Sequence, residues 1–202
     1  MQPRAALATS GRVNQKTRTR AAIVRAAAEL SRTGREVTMP EVAKAALVSE
    51  ATAYRYFPDL ASLLREAIAD QIPSPEEALV GVADSVDPVE RIAAATEFLL
   101  RHVQSRQGVV RAMIAATVVR PDQADARPGM RFGLIDYALA PLAGTLGGRD
   151  PRALAQLKND LAVVVSAEAL FSLTDLCGLS SEAAIASLVH TATTLTRAAI
   201  AG

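Results

Sequence analysis

Hydroxyl groups and one guanidinium are concentrated in the short segment from Ser49 to Tyr56. The segment contains Thr52, Tyr54 and Arg55 in addition to its two terminal residues. Hydroxyls donate hydrogen bonds to phosphate oxygens, and the fork of an arginine fits the edge of guanine. This combination predicts a surface that binds nucleic acid, provided that one element presents these side chains together.

The flanking residues supply such an element. Thr38 and Glu41 have the spacing of a capping box, and Ser49 is a suitable N-cap for a following helix. Only Leu47 and Val48 separate the two helices that these caps start. Two short helices joined by so tight a turn predict a helix-turn-helix, whose second helix can lie in the major groove. The same spacing also fits a tight pair of packed helices with a polar outer face.

The second helix divides its residues between a core face and an outer face. Ala53 and Phe57 recur at i and i+4 and are predicted to face the core. Thr52, Tyr54 and Tyr56 are then available to phosphates, and the remaining outward positions face the bases. The complete set of predicted DNA contacts is Arg12, Lys16, Thr38, Ser49, Glu50, Ala51, Thr52, Tyr54, Arg55 and Tyr56, of which Glu50, Ala51 and Arg55 face bases.

Basic residues dominate the first part of the chain, although the net charge is only +1. Between Arg4 and Arg35 there are eight basic residues and one acid, Glu29. This imbalance is typical of a surface that lies beside phosphates, although a solvated basic face has the same composition. Residues 1–14 lack periodicity, and we predict a flexible basic arm there.

The order of residues in this region resembles the DNA-binding domain of TetR-family transcriptional regulators over about 60 residues, from Lys16 to Ile72. The matching positions are Val42-Ala43, Val48-Ser49, Thr52, Tyr54, Tyr56-Phe57 and Leu63-Leu64. The resemblance implies a transcriptional regulator that binds a double-stranded operator, and no enzyme. Two positions depart from the family pattern: Leu47 stands where the family has a turn glycine, and Leu60 where it often has a phosphate-binding lysine.

Composition and helix signals predict an all-α protein. Half of the 202 residues are apolar, alanine dominates and aromatic residues are scarce, which favours helices over strands. Pro73 and Pro75 break the chain after the first domain. We therefore predict a helix-turn-helix domain of three helices plus a fourth over residues 15–72, and a helical ligand-binding and dimerisation domain over residues 73–202.

Catalytic and metal-binding patterns are missing from the sequence. His102 and His190 are far apart and neither has a zinc-ligand spacing, while Cys177 is the single cysteine. We predict no metal, no cofactor and no catalysis, although a helical enzyme that only resembles a regulator is the remaining alternative. No stretch of the chain has the length and apolarity of a membrane span or the order of a signal peptide, so a cytoplasmic location is expected.

The second domain is expected to bind a small-molecule inducer, because the resemblance implies such a site. Ligands bind between helices with few polar groups, and mostly apolar helices with occasional polar residues fit that description. The candidate lining residues are Phe98, His102, Met113, Thr117, Phe132 and Tyr137. Ordinary core packing is the alternative for each of them.

The last two predicted helices are apolar on more than one face, which predicts a four-helix bundle with the same helices of a second chain. Helix-turn-helix proteins generally bind as dimers, and the resemblance implies the same. The predicted interface residues are Leu170, Leu173, Ile185, Leu188, Ala192 and Leu195. The sequence thus predicts a dimeric repressor that a small molecule releases from its operator; the alternative is a regulator of the same fold whose second domain only dimerises.

Overall fold

The computed structural model describes residues 4–69, 71–119 and 129–201, with side chains from residue 14 onward except that of Val119. All regular structure in these ranges is helical, as the composition predicts. The α-helices are α1 (Arg4–Ser31), α2 (Met39–Ala45), α3 (Glu50–Tyr56), α4 (Leu60–Ala69), α5 (Pro75–Ala78), α6 (Pro88–Ser105), α7 (Gln107–Val119), α8 (Met130–Ala138), α9 (Leu146–Arg149), α10 (Pro151–Val164), α11 (Ala167–Phe171) and α12 (Ser181–Ala201). Short 3-10 turns follow α5 and α8, and one π-helical turn, Ser172–Leu176, follows α11.

The chain forms two compact units. The first contains α1 to α4 together with α7, and the second contains α5, α6 and α8 to α12. The first stretch of the first unit ends at Gln71, next to the expected boundary at residue 72. However, α7 lies in the first unit, whereas the sequence-based division assigns it to the second domain. The functional roles of the two parts stay predictions.

Helices α1 and α4 form the main packing pair of the first unit. Ile23 and Ala27 of α1 and Leu63, Leu64 and Ile68 of α4 are almost fully buried. These residues follow the i, i+3, i+4 spacing of an apolar stripe, so both helices fold with that stripe inward. Burial of one such large aliphatic side chain stabilises the fold by about 1.5–3 kcal/mol.

The first helix starts earlier than predicted. The sequence suggests a flexible arm over residues 1–14, but α1 already begins at Arg4. Residues 4–8 read Arg-Ala-Ala-Leu-Ala, all of which are strong helix formers, and this propensity extends the helix despite the missing apolar periodicity. Residues 1–3 lie outside the described part of the chain. At its other end α1 stops at Ser31, and Gly34 follows with a left-handed φ of 71°.

Helices α6 and α12 form the most extensive pair of the second unit. Ile92 and Leu99 of α6 and Ala184, Ile185 and Leu188 of α12 are buried in this unit. At the surface, the guanidinium of Arg101 on α6 donates hydrogen bonds to the carboxylates of Glu97 and Glu182. Its hydrogen bonds to Glu182 lower the pKa of that carboxyl. The ion pair between Arg101 and Glu182 therefore links α6 to α12 at the edge of their apolar contact.

The sequence predicts one long helix from Pro151 to about Leu176. This prediction is wrong, because the structure interrupts the helix at Val165 and Ser166. The Ser166 hydroxyl donates to the carbonyl of Val163 at 2.7 Å and accepts from the amide of Ala169 at 3.1 Å, so it caps α11. Three consecutive valines before this serine weaken the helix, since β-branched side chains lose rotamer freedom there. A helix is also formed at Gly147-Gly148, where the sequence suggests a break.

Candidate nucleic-acid interface

The first helix of the pair, α2, starts as its sequence predicts. The Thr38 hydroxyl accepts from the amide of Glu41 at 3.4 Å, and the Glu41 carboxylate accepts from the Thr38 amide at 3.1 Å. The Thr38 hydroxyl also donates to the same carboxylate at 2.8 Å. The hydroxyl proton of Thr38 is therefore used within the cap, and the nearby Glu41 carboxylate repels a phosphate. In this arrangement Thr38 positions the helix, while its predicted phosphate contact requires the cap to rearrange.

The turn between α2 and α3 is a Schellman motif in which a leucine occupies the left-handed position. The amide of Val48 donates to the carbonyl of Ala43 at 3.0 Å, and the amide of Leu47 donates to that of Lys44 at 3.2 Å. These are the two hydrogen bonds that close a helix with a left-handed residue after the cap. Leu47 has a φ of 57° and an exposed fraction of 93%. The departure from glycine is therefore accommodated by strain in the backbone and not by a different turn.

The second helix, α3, is fixed at both ends. Ser49 accepts from the amide of Thr52 at 3.2 Å, and the two hydroxyls lie 2.9 Å apart. Ala53 and Phe57 are buried as predicted, and Phe57 ends the helix. Asp59 then caps α4 through the amide at position 62, at 2.7 Å. Since the helix has only two turns, these caps and the buried pair determine which of its faces is turned outward.

The outward face of α3 carries the side chains that the sequence assigns to DNA. Glu50, Ala51, Tyr54 and Arg55 are exposed, and Tyr54 keeps 49% of its surface open. Within the described part of the chain the Tyr54 hydroxyl has no hydrogen-bond partner, so it can donate to an external acceptor. The Arg55 guanidinium lies 5.5 Å from the ring centroid of Tyr56, and this stacking restricts its direction. The structure therefore brings these predicted contacts together on one helix.

The basic residues of α1 are not equivalent. Arg20 forms an ion pair with Glu66 of α4, and its guanidinium lies 4.9 Å from the ring centroid of Phe57. It joins α1 to the end of α3, and no sequence pattern separates it from its neighbours. Lys16 is exposed, whereas the side chain of Arg12 lies outside the described residues. Among the described side chains of α1, those of Arg18 and Arg25 are also exposed.

A capped helix-turn-helix with an exposed hydroxyl and arginine face is what the comparisons with known proteins also indicate. The sequence model of the bacterial regulatory proteins of the tetR family matches residues 23–67, which run from α1 to α4. A TetR transcriptional regulator from Rhodococcus sp. RHA1 has a similar structure, with a TM-score of 0.53 and 26% identity. The similarity covers 90% of this chain and 97% of that one. No curated protein matches the sequence.

The helix-turn-helix region of this chain, residues 23–67, is of the TetR-family type. Together with the similar structure, this match makes the chain a DNA-binding transcriptional regulator with an all-α fold. Among the described residues no group of histidine, cysteine, aspartate or glutamate side chains could hold a metal ion. No described helix has the length and apolarity needed to cross a membrane. The exposed face of α3 is the candidate surface for operator contact.

The six candidate ligand residues are distributed over both units. Met113 and Thr117 lie on α7 and are almost fully buried. The Thr117 hydroxyl donates a hydrogen bond to the Met113 carbonyl at 2.9 Å. In the second unit the rings of Phe98 and His102 are stacked with centroids 6.2 Å apart, and both are half-buried. Tyr137 is half-buried as well. Their common role stays a prediction, since they lie in different units, and the Thr117 hydroxyl is already engaged within its helix.

The expectation that Phe132 faces inward is wrong, since 55% of its surface is exposed. Helix α8 buries Leu134, Ile135 and Ala138, and Phe132 lies off that stripe. The guanidinium of Arg131 lies 5.5 Å from its ring centroid. An exposed ring at this place does not line an enclosed site in the present conformation.

Most of the predicted dimer residues are covered by their own chain. Four of the six are buried, namely Leu170, Ile185, Leu188 and Ala192, while Leu173 and Leu195 are half-buried. The reason is that α12 packs its apolar stripe on α6 and α10, which the spacing along α12 alone does not reveal. Buried side chains cannot gain a partner without unfolding, so the four are corrected to core residues. Large apolar side chains that remain exposed in the same region are Val163, Leu176, Leu179 and Ile200.

Buried Arg91 is a residue that the sequence interpretation missed. Its guanidinium donates to the carbonyls of Tyr137 at 2.7 Å and Ala138 at 3.1 Å, which end α8. It also donates to the carbonyls of three residues near the turn after α5, namely Val82, Ala83 and Ser85. The only available signal is its spacing, because it precedes buried Ala95 and Leu99 by four and eight residues. It organises the second unit and not the DNA-binding face.

Proposed function

We propose that this regulator is a dimeric repressor that a small molecule releases from its operator. The observation that supports the proposal most strongly is the exposed face of α3, since it carries hydroxyls for phosphates and an arginine for a base edge on a capped helix. Thr52, Tyr54 and Tyr56 would hold phosphates, and Glu50, Ala51 and Arg55 would face bases. Repression follows if the operator overlaps a promoter, because a bound dimer excludes polymerase.

Two substitutions on α3 test this division of roles. Tyr54→Phe removes one exposed hydroxyl, so it should weaken binding to all DNA sequences alike, by about 1 kcal/mol. Arg55→Ala should instead relax discrimination at one base pair, by about 1–3 kcal/mol if the contact is bidentate. Binding to an operator and to a series of single mismatches, at one salt concentration, separates the two effects. Equal losses on every sequence for Arg55→Ala would make it a phosphate contact and contradict the assignment.

The dimer that we propose uses surface that the single chain leaves open. Leu176, at the end of the π-helical turn, has an exposed fraction of 85%, and Val163, near the end of α10, has one of 72%. Most outward residues of α12 are small or polar, among them Ala183, Ala186, Ser187, His190, Thr191, Thr194 and Ala198, while Ile200 is an exposed apolar residue near its end. Small side chains let two helices approach closely, and the exposed leucine and valine supply the apolar area. A dimer carries two recognition helices, and helix-turn-helix proteins use such a pair to bind two half-sites one helical turn apart.

The inducer that we propose is a small, mostly apolar molecule bound by the second unit. The half-buried, stacked rings of Phe98 and His102 on α6 support this, because such a pair offers an apolar face beside a group that forms hydrogen bonds. Tyr137 of the same unit remains in the proposed set, whereas exposed Phe132 and the two α7 residues of the first unit, Met113 and Thr117, do not. Release requires that the ligand bind the DNA-free state more tightly than the DNA-bound state.

The inducer hypothesis has a thermodynamic test. A ligand found by thermal-shift screening is titrated calorimetrically into the protein with and without operator DNA. Linkage demands that the operator weaken ligand binding by the same factor as the ligand weakens operator binding. His102→Ala and Phe98→Ala should lower the affinity for the ligand. Val86→Ala, at an exposed residue outside α6, should leave that affinity unchanged. Equal ligand affinities in both titrations would support the alternative, a regulator whose second unit only dimerises.

A further inference from the structure

Gly108, the second residue of α7, lies against the backbone of the segment that joins α1 to α2. A Cβ atom built on Gly108 would lie 2.0 Å from the carbonyl oxygen of Arg35 and 2.3 Å from its carbonyl carbon. It would also lie 2.7 Å from the amide nitrogen of Glu36. These are backbone atoms of the same unit and cannot rotate away as a side-chain end can. Any other residue at position 108 would therefore push the two segments apart.

Backbone conformation does not explain this glycine. Gly34 and Gly178 have left-handed φ values, whereas Gly108 has a helical position and no such φ. Inside a helix glycine is less favourable than alanine, because it loses more conformational freedom. The close approach to Arg35 is thus the feature of the structure that requires a residue without a side chain.

The segment that Gly108 contacts leads directly into the helix-turn-helix. Only Glu36 and Val37 separate Arg35 from Thr38, the N-cap of α2. Val37 is 1% exposed, so the segment is held by one buried side chain and by the backbone contact at Arg35. Helix α2 packs on α3, and a displacement of its N-cap is therefore passed to the recognition helix.

We propose that Gly108 is a positioning residue for DNA binding: it seats the first turn of α7 against the Arg35 backbone and so fixes where α2 and α3 begin. The proposal rests on DNA binding by α3. A carbon atom and a carbonyl oxygen approach no closer than about 3.3 Å, so a methyl group at position 108 separates the two segments by more than about 1 Å. A shift of that size misaligns a base contact, since hydrogen bonds weaken steeply with distance and angle.

The test compares Gly108→Ala with two controls. Val109→Ala removes contacts from the neighbouring buried residue of α7 without adding an atom near Arg35, so it matches a loss of stability. Gly144→Ala makes the same chemical change where no atom lies within 4 Å of the new methyl group. The probe is a duplex that the wild-type protein selects from a randomised DNA library. Affinity is measured at one salt concentration and well below the lowest melting temperature of the set.

Gly108→Ala should weaken binding by on the order of tenfold, as for the loss of one base contact. Val109→Ala and Gly144→Ala should bind like the wild type. Wild-type affinity in Gly108→Ala would overturn the proposal, and so would an equal loss in Val109→Ala at a similar melting temperature, because α7 would then act through stability alone. Selection of no duplex by the wild-type protein would instead overturn the DNA-binding assignment itself, and the proposal with it.

A second variant keeps the proposal testable if Gly108→Ala does not fold. Insertion of one glycine between Arg35 and Glu36 leaves α7 unchanged but lets the N-cap at Thr38 move independently of the Arg35 contact. It should reduce affinity for the selected duplex by a similar factor while the melting temperature stays near that of the wild type. Unchanged affinity in this insertion variant would show that the contact does not position the helix-turn-helix.

Discussion

Arg91 is expected to be one of the largest single contributors to the stability of the second unit. Its side chain is 4% exposed, and its guanidinium donates to five backbone carbonyls, with N···O distances between 2.7 and 3.3 Å. It also lies 4.8 Å from the ring centroid of Tyr137. The carbonyls at the end of α8 carry the negative end of a helix dipole, which favours a cation there. Arg91 thus joins α6, α8 and the turn after α5 in one polar cluster.

Replacing Arg91 with methionine keeps most of the aliphatic stem but removes every donor. Two effects oppose each other: the desolvation cost of the guanidinium disappears, while several buried carbonyls lose their partner at about 1–3 kcal/mol for each one that water cannot reach. Loss of one side of a buried polar cluster usually costs about 3–5 kcal/mol. We expect Arg91→Met to lower the free energy of unfolding by about 3 kcal/mol. Whole domains typically have a free energy of unfolding of about 5–15 kcal/mol, so this loss is a large part of the total.

Urea unfolding followed by circular dichroism measures this change. Arg91→Lys should fall between the wild type and Arg91→Met, because one ammonium reaches either the end of α8 or the turn but not both. Arg101→Met is the matched control on the same helix, since its ion pairs are exposed and such pairs contribute little. A free energy of unfolding for Arg91→Met close to that of the wild type would refute the reasoning. It would mean that water replaces the guanidinium at these carbonyls.

Two further predictions concern the turn and the assembly. Leu47→Gly should raise the free energy of unfolding by about 0.5–1 kcal/mol, because it removes the strain of a left-handed leucine, offset in part by the greater freedom of glycine in the unfolded chain; Leu47→Ala, which keeps a Cβ, should give no gain, and a gain for alanine as large as for glycine would contradict the strain argument. Leu176→Arg should yield monomers in sedimentation without a loss of helicity, while Val86→Arg, an equally exposed control with 83% of its surface open, should stay a dimer. If Leu176→Arg remains dimeric, this residue lies outside the interface.

The helix-turn-helix could be predicted because its determinants are local. A capping box needs only Thr38 and Glu41, and a tight turn needs only the spacing between two caps. At Leu47 the departure from glycine allows two outcomes, a strained backbone or a different turn, and the φ of 57° shows that the turn is kept. In such segments three or four neighbouring residues determine the geometry, and the rest of the chain only has to bury Ala53 and Phe57.

Features that depend on packing between distant segments could not be predicted. The spacing of Ile185, Leu188 and Ala192 shows an apolar stripe, but a stripe does not reveal whether its own chain or a partner covers it. Arg91 looks like any surface arginine until the five carbonyls around it are placed by the fold. The break at Ser166 required a choice between continued helix and a local cap, and the hydrogen bonds of the serine decided it.

The position of α7 bears on how ligand binding in the second unit could change operator binding. The sequence suggests α4 as the only element able to carry a change to α3, but α7 lies in the first unit and packs on α4. Through Gly108 it also contacts the segment that starts α2. Only residue 106 separates α7 from α6, the helix that carries Phe98 and His102. Within the first unit, α7 therefore contacts both α4 and the segment that leads into α2. If the ligand that we propose displaces α7, we expect the packing of α4 and the start of α2 to change together, so that α4 alone need not carry the change.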